Sequence, residues 1–412
     1  MFYVYAEVMN LFNIPIENLT AADIDSLINN NVSESTMLDF KRDSYGGKDT
    51  DKKELIKDVS AMANTRGGML FIGIDEEEGT ASAICPISCN ADAEIQRLNS
   101  ILQSSIEPLI PSVEIRAINM GEDESVIVIK VPASWSAPHR TNFKGSKRFH
   151  RRNSAGVYEP DVTELKKMFN ASIEQDNKFR ALRLKHINAV GNGETPVTMH
   201  DQNSGFLLLQ ILPLQSLEAS ISIDLSPQYL ETNLYPLGAS AWDFRYNIDG
   251  YLTFRPNFHS YTQLHRNGII EAVIASISRL NNSGRKIIAG SSMSEYILGG
   301  TAQYLSVLRD LGVQPPVRVY VTFLDIKDCR FATYKDVWGR GEDEIPNIAK
   351  GDVLLPPVDI MDYSNKFRVY EALKPTLDAL WNADNLERCD YYDDEGNWVG
   401  HKDVRRLGAR NN

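Results

Sequence analysis

The sequence predicts an α+β chain made of two mixed α/β domains. Three observations carry this. Its 412 residues exceed one ordinary domain. Short apolar runs such as Met69–Ile74 and Val126–Val131 alternate with amphipathic segments such as Asp51–Thr65 and Ala91–Ile106. A polar, charge-bearing stretch then separates this series from a second one of the same kind. The expected limits are a first domain over 1–170, a helical linker over 171–204, a second domain over 205–385 and a tail over 386–412.

In the first domain Thr20 is placed to cap a short helix whose apolar stripe is Ile24, Leu27 and Ile28, ended by Asn29-Asn30-Asn31. Val32–Phe40 reads as a strand with a bend, and Ser44–Lys48 as a loop. Asp51–Thr65 reads as a helix turning Leu55, Ile56, Val59, Met62 and Ala63 inward, stopped by Gly67-Gly68. Met69–Ile74 is a buried strand, Ala91–Ile106 a helix, and Val113–Ile118 and Val126–Val131 are strands. Asp161-Val162-Thr163-Glu164 is a capping box that opens another helix. In the second domain Phe206–Leu212, Ile221–Leu225, Tyr251–Arg255 and Val317–Phe323 read as strands. Gly268–Val273 reads as the start of an apolar helix, with further helices near Ser294–Leu311 and Glu371–Trp381. Asp390–Asp394 and the basic end Arg405–Arg410 read as loose tail.

Composition narrows the function classes. Apolar content of 42% and charged content of 24% are those of a soluble globular protein, and no run approaches the ~20 apolar residues of a membrane span. Met1–Glu7 lacks a basic, then apolar, secretory signal. The cysteines, Cys85, Cys89, Cys329 and Cys389, are too few for a disulfide scaffold and complete no zinc pattern, so a cytoplasmic, reducing location is expected. The net charge of −12 argues against broad non-specific nucleic-acid binding. Yet Ile129–Tyr158 contains no acidic residue and carries Lys130, Arg140, Lys144, Lys147, Arg148, Arg151 and Arg152, with His139 and His150. Such a confined basic stretch, interleaved with Phe143 and Phe149, suits a phosphate-binding surface with aromatic rings for bases. The competing reading is an edge strand with solvated cations around a core Phe149.

The stretch from Glu34 to Asp75 is the most informative. Glu34-Ser35-Thr36-Met37-Leu38-Asp39-Phe40-Lys41 is followed by a helix and then by Ala63-Asn64-Thr65-Arg66-Gly67-Gly68-Met69-Leu70-Phe71-Ile72-Gly73-Ile74-Asp75. Carboxylates at the edges of apolar strands suggest a hard metal ion or a general base. These motifs, with Ala137-Pro138-His139-Arg140, Lys147-Arg148-Phe149-His150-Arg151-Arg152 and Glu159–Leu165 after them, resemble the AlbA-like domain of the Schlafen family over roughly residues 10–170. The resemblance implies a nucleic-acid-binding domain, and in its nuclease members a divalent-metal-dependent endoribonuclease acting on structured RNA such as tRNA, with stress or antiphage defence as the setting. On that pattern Glu34, Asp39 and Asp75 would hold Mg²⁺ or Mn²⁺, with Glu76 and Glu77 as neighbouring substitutes for Asp75. Lys41 would hold the scissile phosphate. Asp39 stands where relatives usually have Glu, one methylene longer. Arg140, Lys144, Lys147, Arg148, Arg151 and Arg152 would be the nucleic-acid contacts.

A structural reading of the same residues runs beside this one. Glu34 would turn the strand entry, Asp39 would pair with Lys41 or Arg42, and Asp75 would start a turn. Glu34 and Asp39 are five apart, so they fall on opposite strand faces unless the strand is bulged or Glu34 lies before it. ATP is not expected. Gly46-Gly47-Lys48-Asp49-Thr50 puts an acid where the Walker pattern needs a hydroxyl, and Ala63–Gly68 is a helix C-terminus, which repels phosphate. The alternative function is a non-catalytic DNA-binding transcriptional regulator whose second domain senses a ligand or oligomerises. His265-Arg266-Asn267-Gly268-Ile269-Ile270-Glu271 in that domain reads as a loop and helix start rather than a catalytic motif. Schlafen grooves are built from two related lobes, and one motif copy here implies a homo-oligomer partner as the source of the second. RNA or DNA is the expected partner, and no membrane.

Overall fold

The computed structural model describes residues 14, 16–110, 112–134, 136–199, 204–217, 223–226, 228–255, 259–333, 346–363 and 365–400. The chain divides into two compact units, Met1–Lys178 and Phe179–Asn412.

The first unit is built around the two apolar runs that the sequence marks as buried. Its elements are α1 (Ala21–Asn29), β1 (Leu38–Lys41), α2 (Asp49–Ala63), β2 (Gly68–Ile72), β3 (Ile74–Glu77), β4 (Thr80–Ile84), β5 (Ile87–Ser88), α3 (Ala91–Ser105), β6 (Ile106–Glu107), β7 (Glu114–Gly121), β8 (Glu124–Val131), β9 (Arg140–Phe143), β10 (Ser146–Phe149), β11 (Arg151–Asn153) and β12 (Gly156–Tyr158). The main sheet runs β1-β2-β8-β5, with β7 also on β8, and β1 and β2 are parallel. Both faces are covered, which is why these strands are apolar throughout rather than alternating. Met69, Phe71, Val126 and Val128 meet α1 on one side, and Leu70, Ile72, Ile127 and Ile129 meet α2 and α3 on the other. Gly68 allows the tightest step in this sheet: a Cβ there would lie 2.4 Å from the Met37 carbonyl oxygen.

The basic segment forms two small ladders, β10-β9-β6 and β11-β12. Asn64, at the end of α2, fastens both. Its amide donates to the carbonyls of His139 and His150 at 2.7 and 3.0 Å, and its oxygen accepts from the His139 N–H at 2.6 Å. Thr65 adds a bond from the Arg152 N–H to its hydroxyl at 3.0 Å. The Ala-Asn-Thr motif is thus a structural clamp on the basic segment.

Helix α4 (Val162–Gly191) opens with the expected capping box: the Glu164 N–H donates to Asp161 and the Asp161 N–H to Glu164. It runs as one helix into the stretch 171–204 expected as a helical linker, and the division between the units falls within it.

The second unit has β13 (Phe206–Pro213), a one-turn α5 (Leu230–Asn233), β14 (Asp243–Tyr246), β15 (Gly250–Phe254), β16 (Ser260–His265), β17 (Ile270–Ala275), β18 (Ser278–Leu280), β19 (Lys286–Ala289), α6 (Gly290–Asp310), β20 (Val317–Leu324), β21 (Arg330–Ala332), β22 (Val353–Leu354), β23 (Val358–Ile360), α7 (Lys366–Ala372) and α8 (Lys374–Trp381). Its large sheet runs β14-β15-β16-β17-β13-β20-β22, with β23 also on β20, and a smaller sheet runs β18-β19-β21. Leu207, Leu209, Val321 and Phe323 face α6 and α8, while Leu208, Leu252 and Val273 face Ile187 and Val190 of α4.

Four expectations change. Gly268–Val273 does not start a helix: Ile270–Ala275 is the central strand β17, with Ile270 and Ala272 in one core and Val273 and Ala275 in the other. A strand buried on both faces has no polar alternation to reveal it. Val32–Phe40 shortens to β1, with isolated bridges at Ser33 and Ser35 before it. Asp390–Asp394 is not loose, since Tyr391 and Tyr392 are buried against Trp398 and join the main core. Ile221 and Arg405–Arg410 lie outside the described residues, and 223–225 is not strand.

Candidate functional site

Period-two geometry on β1 sends Leu38 and Phe40 to one face and Asp39 and Lys41 to the other, under α2. Glu34 lies before the strand, separated from it by a turn. Its carboxylate reaches back to accept the Phe40 N–H at 2.8 Å on the free edge of β1. The odd spacing of Glu34 and Asp39 is therefore no obstacle, and the two carboxyl groups shift each other's ionisation.

Asp39 is buried and doubly matched. The Lys41 ammonium donates to Oδ2 at 2.9 Å, and the Arg152 guanidinium donates to Oδ1 at 2.9 Å. Burial works to raise this carboxyl, but the Arg152 bond, the Glu34 bond and the Lys41 charge outweigh it and hold it at about 2. Glu34 moves the other way, pushed up to about 7 by burial and by the neighbouring Asp39. Below about pH 7 the two adjacent carboxyls thus hold one proton between them, on Glu34.

Asp58 completes the cluster, and sequence reasoning passed over it. It lies on the inward face of α2, buried, and accepts the Tyr45 hydroxyl at 2.8 Å. Burial raises its carboxyl, against the pull of Lys41 and Lys57. An acid on the apolar stripe of α2 was the available signal: Leu55, Ile56, Val59 and Met62 surround it in sequence, and all are buried.

Asp75 is not part of this group. It sits on β3, and its carboxylate takes the Arg42 guanidinium at 2.5 Å. Glu76 is occupied in the turn, where its carboxylate caps the Gly79 N–H. Among the described residues no three His, Cys, Asp or Glu side chains come together as a metal would require. The donor set does not fit Mg²⁺ or Mn²⁺ as it stands, since both Asp39 oxygens face cations and burial raises the Glu34 carboxyl to about 7.

The expected nucleic-acid contacts divide in two. Arg152 is buried on Asp39 and cannot meet a phosphate. The others lie at the surface of the β9–β12 ladders, most of them paired with acids from outside the segment. Arg140 bonds Glu107 at 2.8 Å, Lys144 pairs with Asp49, Arg148 with Glu159, and Arg151 stands 3.6 Å from Glu164. Lys147 is exposed, and among the described residues no acid pairs with it. His139 and His150 are buried, and burial lowers both below the ordinary histidine range, so they add no charge at neutral pH. Phe149 packs on Phe169 of α4 with ring centroids 5.5 Å apart, leaving it as packing rather than a stacking platform.

Residues 34–161 match the family model described as Schlafen, AlbA_2, from the first acid of the cluster to the acid that opens α4. This stretch is a Schlafen AlbA_2 domain. No curated protein matches the chain. Among solved structures, the DIP2311 protein of Corynebacterium diphtheriae is 20% identical over 37% of this chain and 28% of its own, at a TM-score of 0.26. The N-terminal domain of a RecG-related protein from Nitrosomonas europaea is 19% identical over 35% of this chain and 94% of its own, also at 0.26. The chain therefore spans little more than a quarter of the first of these proteins. The domain type supports nucleic-acid binding by the AlbA_2 domain, and no described helix is long and apolar enough to cross a membrane.

Proposed function

We propose that the AlbA_2 domain binds nucleic acid through the surface of the β9–β12 ladders, with Arg140, Lys144, Lys147, Arg148 and Arg151 on phosphates, and that it does so without a metal. The observation that carries this is the gathering of these cations, Lys144, Lys147 and Arg148 exposed, on two small ladders in a stretch, 129–158, that contains no acid. Their present partners are surface carboxylates, and exposed ion pairs are worth only ~0–1 kcal/mol, so a phosphate can replace the acid at little cost. The Asp39–Arg152–Asn64 framework beneath them holds the ladder in place.

Fluorescence anisotropy with tRNA, single-stranded DNA and duplex DNA tests this. Binding should fall about tenfold or more in Lys147→Glu/Arg148→Glu, weaken steeply between 50 and 200 mM salt, roughly as released counterions require, and be unchanged by EDTA. Affinity indifferent to those charges and to salt would overturn it. Whether RNA or DNA is preferred is read from the same titrations.

One observation favours a second reading, the Schlafen-type endoribonuclease. Glu34 near 7 beside Asp39 near 2 is the divergent pair that acid–base chemistry uses. A Mg²⁺- or Mn²⁺-dependent form of it would need Asp39 released from Lys41 and Arg152, and a second copy of the chain to close the groove. A role in stress or antiphage defence would attach to this reading alone. Cleavage of tRNA in Mn²⁺, stopped by EDTA and by Glu34→Ala/Asp39→Ala, would establish it. No cleavage by folded protein would leave the binding reading.

A further inference from the structure

The second unit contains a cavity of about 910 Å³ between β17, the β18-β19-β21 sheet and the first turns of α6. That volume lies in the range of small-molecule sites. Its polar lining is one-signed. Arg255, His259 and Arg279 line it, and among the described residues no lining residue is an acid, although the chain carries 55 acidic residues against 43 lysines and arginines. Among the described residues neither arginine has a carboxylate partner, and His259 Nδ1 is a buried nitrogen with nothing to bond. This reverses the pattern of the first unit, where nearly every cation of the basic segment has been given an acid.

Unmatched guanidiniums around a cavity call for an anion from outside, and arginine's planar fork suits phosphate or carboxylate oxygens. Part of the lining wall is apolar, formed by Ile277, Ile287, Met293 and Tyr296, and offers a flat ring something to lie against. Ser278, Asn281 and Ser292 also line the cavity and are uncharged. Helix α6 also begins at this wall, with Ala289 at its cap and no side-chain oxygen to take its first N–H groups. That adds a positive end to the same wall. Inorganic phosphate would use the cations and leave most of the volume and the apolar wall unfilled.

We propose that this cavity binds a small phosphorylated molecule with an aromatic ring, of nucleotide size. Its phosphate sits at Arg255 and Arg279, and its ring lies against Tyr296 and Met293. The inference does not rest on nucleic-acid binding by the first unit, and Arg279 and Arg255 belong to neither the AlbA_2 match nor the basic segment.

The test is calorimetric titration of the full chain with the four ribonucleoside monophosphates and triphosphates, with adenosine, and with inorganic phosphate. Arg279→Glu, on the exposed strand β18, is the main variant and Arg255→Ala the second. At least one nucleotide should bind, more tightly than adenosine or phosphate alone. Its affinity should drop about tenfold or more in Arg279→Glu, as expected for loss of a charge-assisted contact. Anisotropy titrations with tRNA should be unchanged in that variant. The proposal is overturned if no nucleotide binds, if phosphate alone binds as well as every nucleotide, or if binding survives both arginine substitutions at full affinity.

Discussion

In the first unit Arg152 is buried with its guanidinium on Asp39, beside Lys41 and within the field of Asp58. In the second unit Arg279 stands exposed on a strand edge beside a cavity that no acid lines among the described residues. The residue type is the same and the use is opposite. A cation matched inside the fold is committed to holding two elements together, here β1 and β11, and is lost to any ligand. A cation left unmatched contributes little to folding and keeps its full charge for a partner. Among the described residues Lys147, Arg255 and Arg279 pair with no carboxylate, so their charge stays open to a ligand.

Stability should separate the two arginines most sharply. Arg152→Met leaves Asp39 buried with only Lys41 and should cost about 3–5 kcal/mol in urea denaturation, the range for breaking one side of a buried pair. Arg279→Ala should cost less than about 0.5 kcal/mol, as surface changes do. Adding Asp39→Asn to the Arg152→Met protein should recover much of the loss, because the uncompensated buried charge is then removed. Equal costs at the two arginines would remove the distinction.

The next effect is the pH dependence of the matched site. Glu34 rises in the fold from an ordinary 4.5 to about 7, so between those values the folded chain keeps a proton that the unfolded chain has released. Stability should therefore fall as pH rises through this window. Glu34→Gln, which mimics the protonated acid, should stabilise the protein at pH 8 by on the order of 1 kcal/mol after allowance for solvent screening, and change little at pH 5. Asp39 has the opposite sign. Its folded value of about 2 lies below the ordinary 3.8, so its contribution is whole above 3.8 and is lost as pH falls toward 2. Melting temperatures of both proteins across pH 4–8 check the first expectation, and an acid titration of Asp39→Asn checks the second.

The smallest stability effect belongs to the exposed pairs. Arg148→Ala breaks the Glu159 contact and should change stability by less than about 1 kcal/mol. The same substitution should lower the salt dependence of nucleic-acid binding by about one counterion. A stability loss comparable to that of Arg152→Met would mean that Arg148 belongs with the structural cations.

Much of the first unit was legible in the sequence because its signals are local. Gly67-Gly68 after an amphipathic run, the capping box at Asp161 and the runs Met69–Ile72 and Val126–Val131 each depend on neighbours within a few residues. The grouping of Glu34 with Asp39 was legible as a condition, that Glu34 lie before the strand, and the structure meets it. The structural reading of Asp39, a pairing with Lys41, is the one present in the fold, and Asp75 turned to Arg42 rather than to the cluster. Asp58 was missed because a carboxylate among core positions of a helix looks like an exposed residue out of phase, until the elements packed on it are known.

The sequence by itself determined the α+β character, the place of the AlbA_2 domain, and a basic segment free of acids. These follow from composition and short-range periodicity, which tertiary structure does not alter. Only the tertiary structure decided which charges are spent. The acids that match the basic segment, Asp39, Asp49, Glu107, Glu159 and Glu164, lie outside it in sequence and reach it only through the packing of β1, α2, β6 and the start of α4. Electrostatic pairing acts across a few ångströms of space whatever the distance along the chain, so no reading of neighbours in sequence could have separated buried Arg152 from exposed Lys147.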